Sequence, residues 1–290
     1  LWKYSNYSVK KLLDKNKKPT ACHSDPGFAL GRHITIEYYD CASDVLLDKN
    51  GVESILLRAA RESGAKIVSS SFHQFEPQGV SGVVIIAESH FTVHAWPEHN
   101  YAAVDIFTCA DNIDLDTAIH SIKVQFSSQR VFISSDQNRG ILQPMLGICM
   151  ANSDEKVMDR GTLPMAWKKV CENTNPWGMS TSVDVYDCSS DMIKDPDCIK
   201  KIVSRLCEKL GIVDTENISS VHYDETETAA GFSMTRSIET SGISGYFAHA
   251  THTAYLDIFS CNTYEPRELA EFALSYFGGN HYKMRVALRQ

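Results

Sequence analysis

Gly31-Arg-His-Ile-Thr-Ile-Glu-Tyr-Tyr-Asp40-Cys41-Ala-Ser-Asp44 returns further along the chain as Gly178-Met-Ser-Thr-Ser-Val-Asp-Val-Tyr-Asp187-Cys188-Ser-Ser-Asp191, at a constant offset of 147 residues. Asp105-Ile-Phe-Thr-Cys109 likewise returns as Asp257-Ile-Phe-Ser-Cys261, at an offset of 152. Two matches in the same order, joined by similar patterns, mark an internal duplication. The change of offset puts a short insertion in the second copy, in the loop around Asp214–Asn217.

Periodicity supplies the elements within each copy. Ile34, Ile36 and Tyr38 alternate with polar neighbours, the period of a half-buried strand. Val52, Ile55, Leu56, Ala59 and Ala60 follow helical spacing, and Gly64 is placed to end that helix. Strands are expected at 66–75, 80–87, 90–96 and 101–108, the last two flanking a Pro-Glu-His-Asn turn. Leu115–Phe126 reads as a second amphipathic helix and Val131–Ser134 as a closing strand. The second copy repeats the order with helix 197–210, strands near 219–224, 230–238, 244–250 and 253–260, and helix 266–277.

Each copy therefore reads β-α-β-β-β-α-β. The chain divides into an N-terminal extension (1–30), a first repeat (31–138), a linker (139–176) and a second repeat (177–290). Two sheets with helices on one outer face must each cover an opposite, apolar face. An α+β fold, a four-layer α/β/β/α sandwich of the two repeats, covers both at once. A covalent link favours that pairing within one chain, because it makes the encounter unimolecular.

Composition narrows the class of function. With 43% hydrophobic and 22% charged residues over 290 positions, the chain reads as soluble and globular. A formal charge of −8 disfavours nucleic acid and anionic membrane as partners and is compatible with a cationic small substrate. Nine cysteines, scattered and never in a Cys-x-x-Cys pair, argue against a disulfide framework or a metal site and for a reducing, cytoplasmic setting. No apolar run approaches the roughly 20 residues a membrane helix requires. The lysine-rich, polar residues 1–20 do not read as a secretory signal.

The chemistry is concentrated in the run Phe75-Glu-Pro-Gln-Gly-Val-Ser81 to Glu88-Ser89-His-Phe-Thr-Val-His94-Ala-Trp-Pro-Glu98, with Thr108-Cys109 closing the next strand. This combination, from about Gly31 to Phe132, resembles the prokaryotic-type, pyruvoyl-dependent S-adenosylmethionine decarboxylases. Loss of carbon dioxide from an α-amino acid leaves a carbanion that needs an electron sink. The resemblance implies that the chain makes this sink from itself, a covalent pyruvoyl group derived from Ser89 by cleavage of the Glu88–Ser89 bond.

It further implies that His94 abstracts the α-proton that permits β-elimination, that Ser81 assists at the ester stage, and that Cys109 reprotonates the carbanion. Phe75 would stack on the adenine and Glu98 would accept hydrogen bonds from the ribose of S-adenosylmethionine. The first repeat is then the catalytic one, and the product is the aminopropyl donor for spermidine synthesis. Two alternatives stay open: a pyruvoyl-dependent arginine or ornithine decarboxylase, and a non-catalytic regulatory paralogue.

The second copy departs from the motif. It keeps Ser233 for Ser81 and Cys261 for Cys109, but has no Glu-Ser dipeptide, carries Glu227 where Phe75 would stand, and has no acid for Glu98. His249 matches His94 if the following hairpin is about three residues shorter; ungapped alignment puts Tyr246 there. The second copy is therefore not expected to cut itself. Either it completes the first copy's site with Ser233 and His249, or first copies pair between two chains in a homodimer.

Overall fold

The computed structural model describes residues 31–87, 89–110, 112–140, 167–211, 218–223, 230–238 and 241–289. The expected extension 1–30, Glu88, Glu227, the insertion around 214–217 and most of the linker lie outside these residues.

The first repeat runs β1 (Gly31–Tyr39), α1 (Ser43–Leu47), α2 (Lys49–Glu62), β2 (Ile67–Gln74), β3 (Val80–Ile86), β4 (Ser89–Trp96), β5 (Tyr101–Thr108), α3 (Leu115–Gln125) and β6 (Arg130–Arg139), with a single 3-10 turn at Pro97–His99. After α4 (Trp167–Thr174), the second repeat gives β7 (Gly178–Tyr186), α5 (Ser190–Ile193), α6 (Pro196–Lys209), β8 (Ile218–Tyr223), β9 (Gly231–Ile238), β10 (Ser241–Ala248), β11 (Thr253–Ser260), α7 (Pro266–Phe277) and β12 (His281–Arg289). Asp48, Asp114 and Asp195 cap α2, α3 and α6 by accepting from the first-turn amides of Asn50, Thr117 and Asp197.

Each repeat builds a six-stranded antiparallel sheet, in the orders β2-β3-β4-β5-β1-β6 and β12-β7-β11-β10-β9-β8. Two strands differ from the sequence reading. β6 continues past Ser134 to Arg139, one residue into the expected linker, because it pairs along the whole of β1 through a bulge near Thr35. β10 begins at Ser241 rather than 244, since it pairs back to Ile238 and across to Ser260.

Strand alternation sends opposite chemistry to the two faces of each sheet. Ile34, Ile36, Val84, Phe91, Val104 and their neighbours form one apolar core with α2 and α3. Met179, Val183, Phe247, Leu256 and Ile258 form a second core with α6 and α7. The faces turned towards each other are largely polar, which corrects the expectation of apolar sheet faces. His33, Thr35, Glu37, Asp105, Arg139, Asp184 and Arg289 are all buried there.

Buried charge requires a partner, and the pairing is reciprocal. Arg139, ending β6, donates to Asp184 at 2.8 Å and to Asp257 at 2.6 Å, both in the second sheet. Arg289, ending β12, donates to Glu37 and Asp105 in the first. Burial opposes each guanidinium charge, yet the facing carboxylates hold both arginines above their ordinary range. Burial opposes the Asp105 charge, yet Arg289 and His33 together hold its carboxyl well below the usual carboxylate range.

Candidate active site

Ser89 opens β4, with Thr108 opposite it on β5 and Ile86 opposite it on β3. It is 1% exposed, and its hydroxyl has no hydrogen-bond partner among the described residues. A buried hydroxyl usually finds one. Cys109 follows Thr108 directly and is a half-buried thiol outside any disulfide. A Cβ built on Gly31 would stand 2.6 Å from the Thr108 carbonyl oxygen and 3.0 Å from Cys109 Sγ, so only glycine leaves the thiol this room. The free hydroxyl and the thiol thus share one end of the first sheet.

Ser81 and His94 are brought together directly opposite each other on β3 and β4, with Oγ and Nδ1 2.7 Å apart. Burial pushes the imidazole down to about 3, so it is neutral near pH 7 and, as enclosed here, a weak base. It is not placed to act on Ser89 of its own strand. Positions 89 and 94 are five residues apart, about 16 Å along a strand and on opposite faces.

What His94 does meet is the second repeat. Its ring stacks on Phe259 at 3.9 Å, and a Cβ built on Gly242 would stand 3.6 Å from it. Glu98 joins this end: burial and then the Glu98 charge push the Cys261 thiol up to about 11. Phe75, 4.7 Å from the His73 ring, lies in the β2–β3 connection at the same end of the sheet as Trp96 and Glu98. Trp177 packs there on Tyr101 at 4.5 Å.

The second repeat reproduces the frame with other side chains. Ser241 opens β10 opposite Ser260, as Ser89 opens β4 opposite Thr108, and donates to Ser260 Oγ at 2.8 Å. Ser233 faces Tyr246 in the register in which Ser81 faces His94. The expectation that His249 stands for His94 is therefore corrected. The connections 97–100 and 249–252 have the same length, so no residue is lost and His249 falls beyond the strand. Tyr246 packs with Phe107, Ala248 and Tyr255, and Cys109 lies against that group. Ser233, 5% exposed, has a hydroxyl with no hydrogen-bond partner among the described residues.

The sequence reading missed Ser241, Arg139 and Arg289. Carrying the offset of 152 back from Asp257–Cys261 lands on Ser241 from Ser89, so that signal was present. Among the described residues no group of three or more His, Cys, Asp or Glu side chains could hold a metal ion. No described helix is long and apolar enough to cross a membrane.

A family model described as S-adenosylmethionine decarboxylase matches residues 32–139 and, separately, 179–290. The chain belongs to the S-adenosylmethionine decarboxylase family. It is 51% identical over 105 residues to an S-adenosylmethionine decarboxylase proenzyme of Thermosipho melanesiensis, covering 36% of this chain and 81% of that protein. A proenzyme of the same name from Fervidobacterium nodosum is 52% identical over 105 residues, covering 36% and 77%. A crystal structure of the adenosylmethionine decarboxylase from Aquifex aeolicus aligns at a TM-score of 0.37 and 33% identity, covering 40% of this chain and 94% of that one. This family member carries the S-adenosylmethionine decarboxylase pattern twice, once in each sheet.

Proposed function

We propose that the chain cuts itself between Glu88 and Ser89 and decarboxylates S-adenosylmethionine with the pyruvoyl group so formed, giving the aminopropyl donor for spermidine synthesis. Beyond family membership, the observation that carries this reading is the buried, unpartnered Ser89 hydroxyl beside the Cys109 thiol. A hydroxyl held by no other group is available to attack the carbonyl that precedes it in the chain.

The cut balances without an external reductant or oxidant. Ser89 Oγ adds to the carbonyl carbon of residue 88, the C–N bond breaks, and the peptide becomes an ester with a free amine at 89. Loss of the α-proton of residue 89 and of the residue 88 carboxylate leaves an enamine. Its tautomer takes up water and releases ammonia, leaving a ketoacyl terminus. Once formed, that group supplies the electron sink for decarboxylation.

Cys109 is the proposed acid that returns a proton to the substrate carbon, and Gly31 keeps its sulfur clear. Ser81 and His94 form a processing dyad that serves a serine presented across a sheet interface, because strand geometry separates them from their own Ser89. Phe75 and Glu98 sit with that dyad as the nucleoside contacts. The reciprocal arginine pairs support a four-layer α/β/β/α sandwich, with 31–138 as the catalytic repeat and 177–290 as its partner. The scattered cysteines, in no disulfide among the described residues, favour a cytoplasmic setting.

Intact-mass measurement tests the reading. On prolonged incubation the purified chain should resolve into fragments 1–88 and 89–290, Ser89→Ala should remain one piece, and cyanoborohydride with S-adenosylmethionine should label fragment 89–290. A chain that stays whole yet decarboxylates overturns the cofactor. Carbon dioxide from arginine or ornithine, with none from S-adenosylmethionine, overturns the substrate.

A further inference from the structure

Each end of the interface between the sheets combines the opening serine and cysteine of one repeat with the serine-and-partner pair of the other. At one end the neighbours of Ser241 and Cys261, Gly242 and Phe259, meet His94, and the Glu98 charge reaches Cys261. At the other, Cys109, at the end of the sheet where Ser89 opens β4, lies against the group that holds Tyr246, which faces Ser233 across β10 and β9. Phe107 makes the second juxtaposition concrete. It pairs with His90, the residue after Ser89, and it packs on Tyr246. Phe259 does the same at the first end, pairing with Gly242 and stacking on His94.

The hydroxyls divide the same way. Ser241 and Ser81 are both engaged, at 2.8 Å to Ser260 and 2.7 Å to His94. Ser89 and Ser233 are both buried with no hydrogen-bond partner among the described residues. Within one chain, then, the neutral imidazole stands at the end without a Glu-Ser bond. The cleavable serine stands at the end where a phenol occupies the imidazole's station.

We propose that Tyr246, with Ser233, is the pair that acts on Ser89 within the chain, and that it makes passage beyond the ester the slow stage of self-cutting. The inference rests on the self-cutting proposed above. The two stages ask for different chemistry. Moving the acyl group from nitrogen to oxygen needs a hydrogen-bond donor near the carbonyl oxygen, which a phenol supplies. β-Elimination needs a base for the α-proton of residue 89. A phenol, ordinarily ionised only near pH 10, is a poor one at pH 7, whereas an imidazole with its ordinary pKa near 6.5 is a good one. The ester therefore accumulates, with the mass of the uncut chain, and passes only slowly to the two fragments.

Hydroxylamine separates the stages, because it cleaves an ester and leaves a peptide intact. Freshly purified full chain should split at 88/89 on brief hydroxylamine treatment, at a fraction exceeding the pyruvoyl form. Tyr246→His should raise the rate of pyruvoyl formation about 10²-fold, the scale of a placed general base, and should do so in a His94→Gln background and independently of protein concentration. Tyr246→Phe, which removes only the hydroxyl, should slow ester formation about tenfold or more on the same scale. The inference is overturned if Tyr246→His gains nothing, if its gain vanishes with His94→Gln, or if the cutting rate climbs with protein concentration. Any of these returns the work to His94 of a neighbouring chain. If no variant is cut with or without hydroxylamine, and Ser89→Ala behaves like the parent, the self-cutting reading itself has failed.

Discussion

The two repeats share a skeleton and differ in the groups that handle protons. Glu37 and Asp184, Asp105 and Asp257, and Arg139 and Arg289 hold matching places in the two sheets and link them in both directions. At three further matching stations on the facing surfaces, the first repeat has His33, His90 and His94, where the second has Ser180, Gly242 and Tyr246. Groups that hold the sheets together recur, because each arginine needs the opposite repeat's acids. Imidazoles at these stations stand on one side only. Duplication has kept the mechanical half of the design in both copies and the acid-base half in one.

Serine replacement tests this division most severely. Ser89→Ala should abolish both the cut and decarboxylation, while Ser241→Ala at the matching station should leave the fragment pattern as it is. A loss of cutting with Ser241→Ala would mean that the repeats are not chemically distinct. Next in size, Cys109→Ala should be cut normally but lose about 10²–10⁴-fold in kcat, the range for a general acid. Cys261→Ala should stay close to the parent in a carbon dioxide release assay.

The shared part predicts symmetry instead. Arg139→Met and Arg289→Met each strand two buried carboxylates, at a cost of about 3–5 kcal/mol. Urea titration should find the two losses within about 1 kcal/mol of each other. A large inequality would show that one link dominates.

A pH dependence is carried by the first repeat, and it shows only below pH 6.5. Burial lowers His90 to about 4 and His94 to about 3 in the folded chain, against an ordinary 6.5. Below pH 6.5 the unfolded chain therefore binds more protons than the folded one. Stability is full above that pH and falls as pH drops towards those values, by about 1.4 kcal/mol per pH unit for each group at most. Replacing His94 by glutamine should flatten the decline between pH 6.5 and 4. An unchanged slope would remove His94 from the account.

Much of the fold was legible because alternation and helical spacing record burial directly. Ile34, Ile36 and Tyr38 announced a strand, and Val52 to Ala60 a helix whose end Gly64 marks with a φ of +89°. The candidate serine, its cysteine and the Ser81–His94 pair were legible as a motif. The distance between them was not, since residues close in sequence on one strand lie on opposite faces and far apart. Tyr246 was legible only to an ungapped alignment, and supposing a shorter hairpin moved attention to His249. Arg139 and Arg289 were illegible for a different reason. A lone arginine at the end of a polar strand reads as solvent-exposed until the opposite sheet supplies its acids.

Those arginines impose an order on synthesis. Arg139 and the acids Glu37 and Asp105 are in place once the first repeat has been made, but Arg289 is added 150 residues later. At ordinary ribosomal speed that interval is roughly 10 to 30 seconds. Throughout it, a nascent first repeat displays the charged face that its own second repeat will later cover. On a message carrying several ribosomes, emerging first repeats meet one another with that face open, and His94 of one can then lie opposite Ser89 of the next. Spacing between ribosomes thus becomes a variable that sets which serine meets which base.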